Sequence, residues 1–303
     1  MLVLILANVM WSGSYTAGKE AMRILSPIEM NTLRFATASL VLGPMLWFGR
    51  RAMPIRRRDL IPLGGLCLIG FVLNKLIEFS GLNLTTASDT ALLIGAESMF
   101  TSIMAWLVLH ESVRKGAVWG LIIGSLGIYV VIVDGLGPPR MGGGTRLIGD
   151  LLVILALVCE ATYSTFGKAA LARYPGLLIT ASGVVGSLVF WIPASIINVA
   201  VAGVPHMTPG AWAGILYLGI PSTAIAYVIW MIALKHVEAA SAAPTLYLQP
   251  LLGILLARLL LGERPDLATL VGGCFIILGV AVAGRGASSG EIASTVAAEP
   301  LVG

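Results

Sequence analysis

The stretch ESMFTSIMAWLVLHE at residues 97–111 returns in altered form 152 residues later, as QPLLGILLARLLLGE at residues 249–263. Both stretches open on a polar side chain, continue through an apolar run and end in glutamate, and Ala105 coincides with Ala257. A repeat at a fixed spacing predicts a fold built from two related halves.

The apolar character of these two stretches extends along the whole chain. Of the 303 residues, 57% are hydrophobic and only 11% are charged, whereas soluble domains carry about 25% charged residues. Ten apolar runs are long enough to cross a bilayer core, which takes about 17–25 helical residues. They are Leu2–Ala21, Ile28–Phe48, Leu60–Gly81, Ala87–Leu109, Ala117–Val133, Leu151–Ala172, Leu177–Val201, Ala211–Leu234, Ala239–Leu261 and Leu267–Ala283. The sequence therefore predicts an all-α membrane protein with ten transmembrane helices.

The repeat divides these helices into two groups of five. The same shift of 152 residues places Gly120 on Gly272 and Gly127 on Gly279. An odd number of crossings per half requires the second half to insert upside down, so we predict two inverted five-helix repeats, an arrangement typical of secondary transporters. The predicted division is a first repeat over residues 1–134, a Gly/Pro-rich linker over 135–148, a second repeat over 149–284 and a disordered C-terminal tail over 285–303.

The distribution of lysine and arginine predicts the orientation. With the N-terminus inside, eleven of the 19 basic residues fall in inner loops or the C-terminal tail, five in outer loops and three within helices. Because inner loops of membrane proteins carry an excess of basic residues, we expect a multi-pass protein of the inner membrane with both termini in the cytoplasm.

Four stretches resemble the EamA-type exporters of the drug/metabolite transporter superfamily. They are WSGSYTAGK at residues 11–19, GLNLTTASDTALLIGAESMF at 81–100, ALKHVEAASAAPTLYLQPLLGILLARLLLGE at 233–263 and GGCFIILGVAVA at 272–283. The resemblance spans nearly the whole chain and implies a ten-helix exporter of small organic solutes. The family usually has proline in the fourth helix where this chain has Ser98, while Pro250 is kept in the ninth.

Of the ionisable residues in the predicted helices, six are candidates for a role at membrane depth, where a charge is costly and its default interpretation is functional. Counted from the helix ends, Glu97 and Glu160 fall near the midplane, and the outer third holds Arg34, Lys75, Glu78 and Arg258. Lys75 and Glu78 are three residues apart and share a helix face, beside Asn74. With Arg34 they form either an ion-pair network that locks the second helix to the third, or an outer gate.

Glu97 is the leading candidate for the substrate site. The repeat places Gln249 opposite it, so we expect both side chains to approach a water-filled central cavity, where Glu97 would bind a substrate amine or hold a proton. The other candidates are polar or aromatic side chains on neighbouring helices, namely Glu160, Trp11, Tyr15, Tyr163, Tyr227 and Trp230.

Alternating access needs helices that bend, and bends arise chiefly at proline and glycine. Pro221 and Pro250 predict fixed bends in the second half. The first half has Ser98 opposite Pro250 and offers Gly70 and Gly95, which soften a helix without forcing a kink. The candidate hinges are Gly95, Ser98, Pro221 and Pro250.

The sequence favours transport over catalysis. It contains no His-Glu-x-x-His motif, no ATP-binding motif and no cysteine spacing suited to a metal, so we expect a protein that is not an enzyme and has no cofactor. The expected partners are the lipid bilayer, a small-molecule substrate such as an amino acid or another amphipathic metabolite, and protons as a coupling ion, with no nucleic acid. The alternatives are a proton-coupled antiporter for cationic drugs and, from another class, a membrane-embedded enzyme or a passive channel.

Overall fold

The structure is a computed structural model that describes residues 2–52, 55–97, 99–100, 103–104, 107, 115–133, 144–171, 173–233, 248–279 and 281–282. In this part of the chain every regular element is a helix, and the helices form ten spans. We label these α1 (Leu2–Ser12 and Ser14–Ala21), α2 (Pro27–Ala52), α3 (Leu60–Cys67, Leu68–Leu73 and Asn74–Leu84), α4 (beginning with Ala87–Ile94), α5 (Lys115–Val133), α6 (Gly144–Leu171), α7 (Gly176–Ala202), α8 (Pro209–Tyr217, Leu218–Ile225 and Ala226–Ala233), α9 (Leu248–Leu261) and α10 (Leu267–Gly279). The predicted all-α membrane fold with ten helices is confirmed. The linker and the tail fall largely or wholly outside the described residues.

The surface of the bundle fits a lipid environment. Among the described residues, three helical stretches are by length and composition alone apolar enough to span a membrane, Arg57–Leu84, Gly176–Ala202 and Pro209–Ile229. Large apolar side chains also point outward, and Leu40, Phe48, Val189 and Ile197 are each at least 66% exposed. An apolar surface of this kind is expected where the solvent is hydrocarbon.

Helix starts in the bundle follow local capping signals. At the start of α2, the Glu29 carboxylate accepts the backbone N–H of Ser26 at 2.8 Å, and the Ser26 hydroxyl accepts the N–H of Glu29 at 3.3 Å. This reciprocal pair is a capping box, with Pro27 at the first helical position. Thr86 and Thr208 likewise accept backbone N–H groups at the starts of α4 and α8.

Glycines bring α5 and α10 into backbone contact and reveal the internal symmetry. A β-carbon at Gly127 would lie 2.6 Å from the carbonyl oxygen of Gly272, and one at Gly279 would lie 2.7 Å from the carbonyl oxygen of Gly120. Small residues permit such close helix crossings in membranes. The shift of 152 residues exchanges the two contacts, as an inverted repeat with a two-fold axis requires.

Two helices, α3 and α8, each contain a π-helical segment, Leu68–Leu73 and Leu218–Ile225. The segments lie at equivalent positions of the two repeats. Pro221 lacks the N–H that a regular α8 would need, but the α3 segment contains no proline. The expectation that fixed irregularities belong to the second half alone therefore fails for this pair of helices.

Tryptophans from other helices bind the backbone of both π segments. The indole N–H of Trp191 donates to the carbonyl of Phe71 at 3.1 Å, and that of Trp11 donates to the carbonyl of Ser222 at 2.9 Å. Since π-helical turns leave backbone groups without their regular α-helical partners, these bonds stabilise the irregular segments.

Two more helices, α1 and α4, are interrupted near their middles. The ring of Tyr217 occupies the space that a side chain at residue 13 would need, and α1 turns there at Gly13. In α4 the N–H groups of Gly95 and Ala96 donate to carbonyls only three residues back, at 3.0 and 2.9 Å, which tightens the helix into a turn. The interruption in α4 lies directly before Glu97.

Candidate functional site

The centre of the bundle holds an ionic cluster around Lys75. Its ammonium lies 2.6 Å from a carboxylate oxygen of Glu78 and 3.7 Å from one of Glu160, and all three side chains are at most 17% exposed. Lys75 therefore joins α3 to α6. The sequence placed the Lys75–Glu78 pair and Glu160 at different depths and did not predict this contact, which the long lysine side chain makes possible.

The contacts of this cluster bear on one of its two predicted roles. Among the described residues its ion pairs join α3 to α6 and not α2 to α3, while the other predicted role, an outer gate, stays a prediction. Between α2 and α3 the amide of Asn31 donates to the carbonyl of Lys75 at 3.2 Å. Asn74 donates to the carbonyl of Ala156 in α6 at 2.8 Å and reinforces the α3–α6 contact.

Arg34 lies beside this cluster with different partners. Its side chain is buried, its Nε–H donates to the hydroxyl of Thr223 at 2.8 Å, and its guanidinium lies over the rings of Phe79 and Phe35 at 5.1 and 5.7 Å. Arg34 interacts electrostatically with Glu78. Within the described part of the chain, no carboxylate lies within 4 Å of Arg34.

Glu97 is close enough to the cluster to interact electrostatically with Glu160, Lys75 and Glu78. Its side chain is half-buried on α4. Gln249 has a different neighbour from the one that the repeat suggested, since its amide donates to the side-chain oxygen of Asn8 at 2.7 Å. The structure thus places Glu97 within electrostatic range of Glu160, and it bonds Gln249 to α1.

Aromatic side chains border the charged cluster. The ring of Trp11 lies 5.3 Å from that of Tyr227, Tyr227 lies 6.5 Å from Phe71, and Phe71 lies 5.4 Å from Tyr163. These rings come from α1, α8, α3 and α6. Tyr15 is buried and interacts electrostatically with both Glu97 and Arg34. The side chain of Trp230 lies outside the described residues.

The candidate hinges of α4 and α9 touch each other. A β-carbon at Gly95 would lie 3.3 Å from Cγ of Pro250, so the interrupted turn of α4 packs directly on the proline of α9. Pro221 lies within the π segment of α8. Ser98 lies outside the described residues.

Two residues at the opposite end from the chain termini were not among the predicted site residues. Glu263 accepts the N–H groups of Ala87 and Ser88 at 2.9 and 3.0 Å and caps the start of α4. Lys19 donates to the carbonyls of Leu82 and Thr85 at the end of α3. A carboxylate at a helix N-terminus and an ammonium at a C-terminus are both favourable. The glutamate that ends both repeat stretches was the signal that could have revealed this role.

The same end of the bundle carries a partly buried ion pair between α4 and α6. Arg146 at the start of α6 donates to both carboxylate oxygens of Asp89 at 3.0 and 3.2 Å, and Asp89 is 1% exposed. Arg146 also lies 3.5 Å from Asp266 in the α9–α10 loop. These contacts hold α4, α6 and the α9–α10 loop together.

Comparisons with known proteins agree with this architecture. The model of the EamA-like transporter family matches residues 1–133 and 147–285. An uncharacterized transporter of Archaeoglobus fulgidus is 29% identical over 279 residues, which cover 92% of this chain and 95% of the relative. A probable terminal-alkyne amino-acid exporter of Streptantibioticus cattleyicolor is 29% identical over 288 residues, which cover 93% of this chain and 92% of the relative.

A third relative and a solved structure extend the comparison. The S-adenosylmethionine/S-adenosylhomocysteine transporter of Chlamydia muridarum is 28% identical over 153 residues, which cover 50% of this chain and 48% of the relative. One crystal structure of a protein superposes with a TM-score of 0.65 at 20% sequence identity, over 93% of this chain and 95% of that one. This last similarity concerns the fold alone.

Proposed function

Because the chain belongs to the EamA-like transporter family, we propose that it exports a zwitterionic organic solute, an amino acid, across the inner membrane by alternating access. The protein is a multi-pass membrane transporter and not an enzyme, as the family and its named relatives are transporters. The substrate, the direction and the coupling are the proposal. The observation that carries it is the mixed-charge cluster that aromatic rings border at the centre of the bundle.

The acidic side of this cluster supports recognition of an amine. Glu78 and Glu160 both lie beside Lys75, whereas in the described part of the chain no basic group lies within 4 Å of Glu97. A half-buried carboxylate of this kind can bind a substrate ammonium through a charge-assisted hydrogen bond. We assign amine binding to Glu97.

The names of the relatives point the same way. The Streptantibioticus relative is named a probable amino-acid exporter and the Chlamydia relative an S-adenosylmethionine/S-adenosylhomocysteine transporter. Aromatic walls such as Trp11 and Tyr227 suit an apolar side chain or ring on the substrate. These features favour an amino acid over a purely cationic solute.

Export against a gradient needs a coupling ion, and Glu97 offers a site for a proton. If a proton and the substrate amine occupy Glu97 alternately, each outward movement of substrate is followed by inward movement of a proton. The excess of basic residues in the loops on the side of the chain termini supports a cytoplasmic location for both termini. The division into two repeats at residues 1–134 and 149–284 belongs to the same proposal.

A pH gradient imposed on liposomes that contain the purified protein tests this function. Wild-type protein should move a labelled amino acid against its concentration gradient when protons flow the other way. Glu97→Gln should abolish this movement and also exchange between two substrate pools, because the site loses both its amine partner and its proton. Glu20→Gln is the matched control, since Glu20 makes a surface ion pair with Arg23 at 2.9 Å and should matter little.

Three other results would change the conclusion. If Glu97→Gln retained near wild-type rates from pH 6 to 8, Glu97 would not be part of the site. If only cationic drugs, and no amino acid, moved in a proton-dependent way, the protein would be a drug antiporter. Loss of driven export with intact exchange would make Glu97 a proton site only.

A further inference from the structure

The guanidinium of Arg34 is an incompletely bonded cation in the middle of the bundle. Arg34 is 4% exposed, and its Nη1 is fully buried without a hydrogen-bond partner among the described residues. Lys75, in contrast, lies beside two carboxylates. The two cations of the cluster are therefore not equivalent.

Packing alone does not account for this arrangement. A buried charged donor without a partner is unfavourable, and the cost exceeds that of a neutral group. The guanidinium is held in place from three sides, by the Thr223 hydroxyl and the rings of Phe35 and Phe79. Those contacts fix the orientation of the group but leave Nη1 without a hydrogen-bond partner in the part of the chain that the structure describes.

The chemistry of a guanidinium identifies the missing partner. Its planar fork of N–H donors matches the two oxygens of a carboxylate. Glu78, which interacts electrostatically with Arg34, is already bound by Lys75 at 2.6 Å. A carboxylate supplied by a bound molecule would complete the bonding of Arg34.

Arg34 and Glu97 share two electrostatic neighbours. Tyr15 interacts electrostatically with both residues, and so does Tyr227. The positive group on α2 and the negative group on α4 thus lie within electrostatic range of the same two tyrosines, as the two ends of one zwitterionic site would.

We propose that Arg34 binds the carboxylate of the transported solute through Nη1, so that a free carboxylate is a requirement of the substrate. This inference rests on the proposed function and makes it specific, because it assigns one end of the amino acid to Arg34 and the other to Glu97. It distinguishes α-amino acids from their amides and from simple amines.

The position of Arg34 also connects binding with movement. The Thr223 hydroxyl accepts from Arg34 and donates to the carbonyl of Leu218 at 2.7 Å, within the π segment of α8. Because Nη1 is inaccessible in this arrangement, a carboxylate reaches it only when the surrounding helices shift. Binding at Arg34 is therefore linked through Thr223 to the irregular part of α8.

Competition against transport tests the carboxylate requirement. Liposomes preloaded with an amino acid take up the same labelled amino acid, and the competitors are the unlabelled amino acid and its amide, which keeps the amine but lacks the carboxylate. The common amino acids are tried in turn, with the matched amide for each one that is transported. For the wild type we expect the free acid to compete roughly tenfold or more better than the amide, the size of one charge-assisted hydrogen bond.

The variants then assign that preference to Arg34. In Arg34→Gln, the free acid and the amide should compete with potencies within about twofold of each other. Arg34→Lys keeps the positive charge but not the planar pair of N–H donors, so it should retain part of the preference for the acid. The matched control is Arg258→Gln, because Arg258 is an exposed arginine on α9; it should keep the full preference. The ratio between the competitive potencies of the free acid and the amide reports recognition of the carboxylate, even where a variant folds less well and the overall transport rate falls.

Two outcomes overturn this inference and remain distinguishable from failure of the proposed function. If the wild type transports an amino acid but accepts its amide equally well, no carboxylate is recognised. If Arg34→Gln and Arg34→Lys both keep the wild-type ratio, the carboxylate is bound elsewhere. Absence of any amino-acid transport by the wild type would instead refute the proposed function itself, and this inference with it.

Discussion

At the scale of single residues, Lys75 determines how the buried charges are arranged. It carries one positive charge between two carboxylates from different helices, Glu78 and Glu160. Removal of one partner from a buried ionic group leaves an uncompensated charge in a medium of low dielectric constant, which is much worse than removal of both partners. The three residues should therefore not behave as independent contributors to stability.

Substitution of Lys75 should destabilise the protein more than substitution of either acid. Lys75→Met leaves two carboxylates without their cation and should lower the free energy of unfolding by about 3–5 kcal/mol. Glu78→Leu should cost less, because Glu160 still lies near Lys75, and the double variant should cost less than the sum of the single ones. Thermal unfolding of the four proteins in detergent measures this. Strictly additive losses would show that Lys75 and Glu78 do not interact.

The contrast between expected and observed contacts is clearest for this cluster. The positions of Glu97 and Glu160 near one depth could be predicted, because depth follows from counting residues along a helix. The contact between Lys75 and Glu160 could not, since helix rotation and the reach of a lysine are set by packing. The bond between Gln249 and Asn8 was missed for the same reason, as sequence repeats do not fix side-chain partners.

At the scale of single helices, irregular turns mark the central helices. Such turns in α1, α3, α4 and α8 lie near the middle of each helix, and discontinuous helices of this kind border the substrate sites of many transporters. Prolines predicted the irregularity in α8 but not that in α3, where Gly70 packs against the ring of Tyr163. Gly70 predicted a soft point in α3, but the π-helical turn itself depends on packing between distant helices, which leaves no local signal in the sequence.

The contact between Gly95 and Pro250 should control the rate of interconversion. A β-carbon at Gly95 would lie 3.3 Å from Cγ of Pro250 and 3.0 Å from the carbonyl oxygen of Leu92. Gly95→Ala should therefore stiffen α4 and slow turnover, with substrate affinity less affected. Pro250→Ala should straighten α9 and slow turnover as well, and it should relieve part of the defect of Gly95→Ala in the double variant.

Initial rates and half-saturating substrate concentrations in liposomes measure these effects. A control is Gly43→Ala in α2, because a β-carbon there would have no atom within 4 Å. Unchanged turnover in both single variants would place the moving joints elsewhere in the bundle.

At the scale of the whole molecule, the inverted repeat that the sequence predicts accounts for the paired glycine contacts between α5 and α10. The apolar lengths predicted ten helices, and the shift of 152 residues predicted which of them correspond. The number of helices follows from the sequence because bilayer thickness sets the length of a spanning helix. Their correspondence follows because α5 and α10 approach each other so closely that glycine is required at the contact points. The structure adds that symmetry-related glycines meet in symmetry-related contacts.

The two-fold relation between the repeats predicts that two distant glycine substitutions lower the free energy of unfolding by similar amounts. Gly127→Ala would place a methyl group 2.6 Å from the Gly272 carbonyl, and Gly279→Ala would place one 2.7 Å from the Gly120 carbonyl. Both should destabilise the protein by about 1–3 kcal/mol, because backbone atoms are overpacked and α5 must move away from α10. Thermal unfolding checks this, again with Gly43→Ala as the control. A loss in one variant without a loss in the other would contradict the two-fold relation.

Counterflow in liposomes tests the central claim, that this molecule is a secondary transporter of an amino acid, most directly. Purified protein is inserted into liposomes preloaded with an unlabelled amino acid, and uptake of the same labelled amino acid is followed beside empty liposomes and liposomes without protein. The account predicts uptake that saturates with external substrate and is accelerated by the internal pool. Uptake that is unsaturable and indifferent to the internal pool, or covalent alteration of the solute, would contradict it.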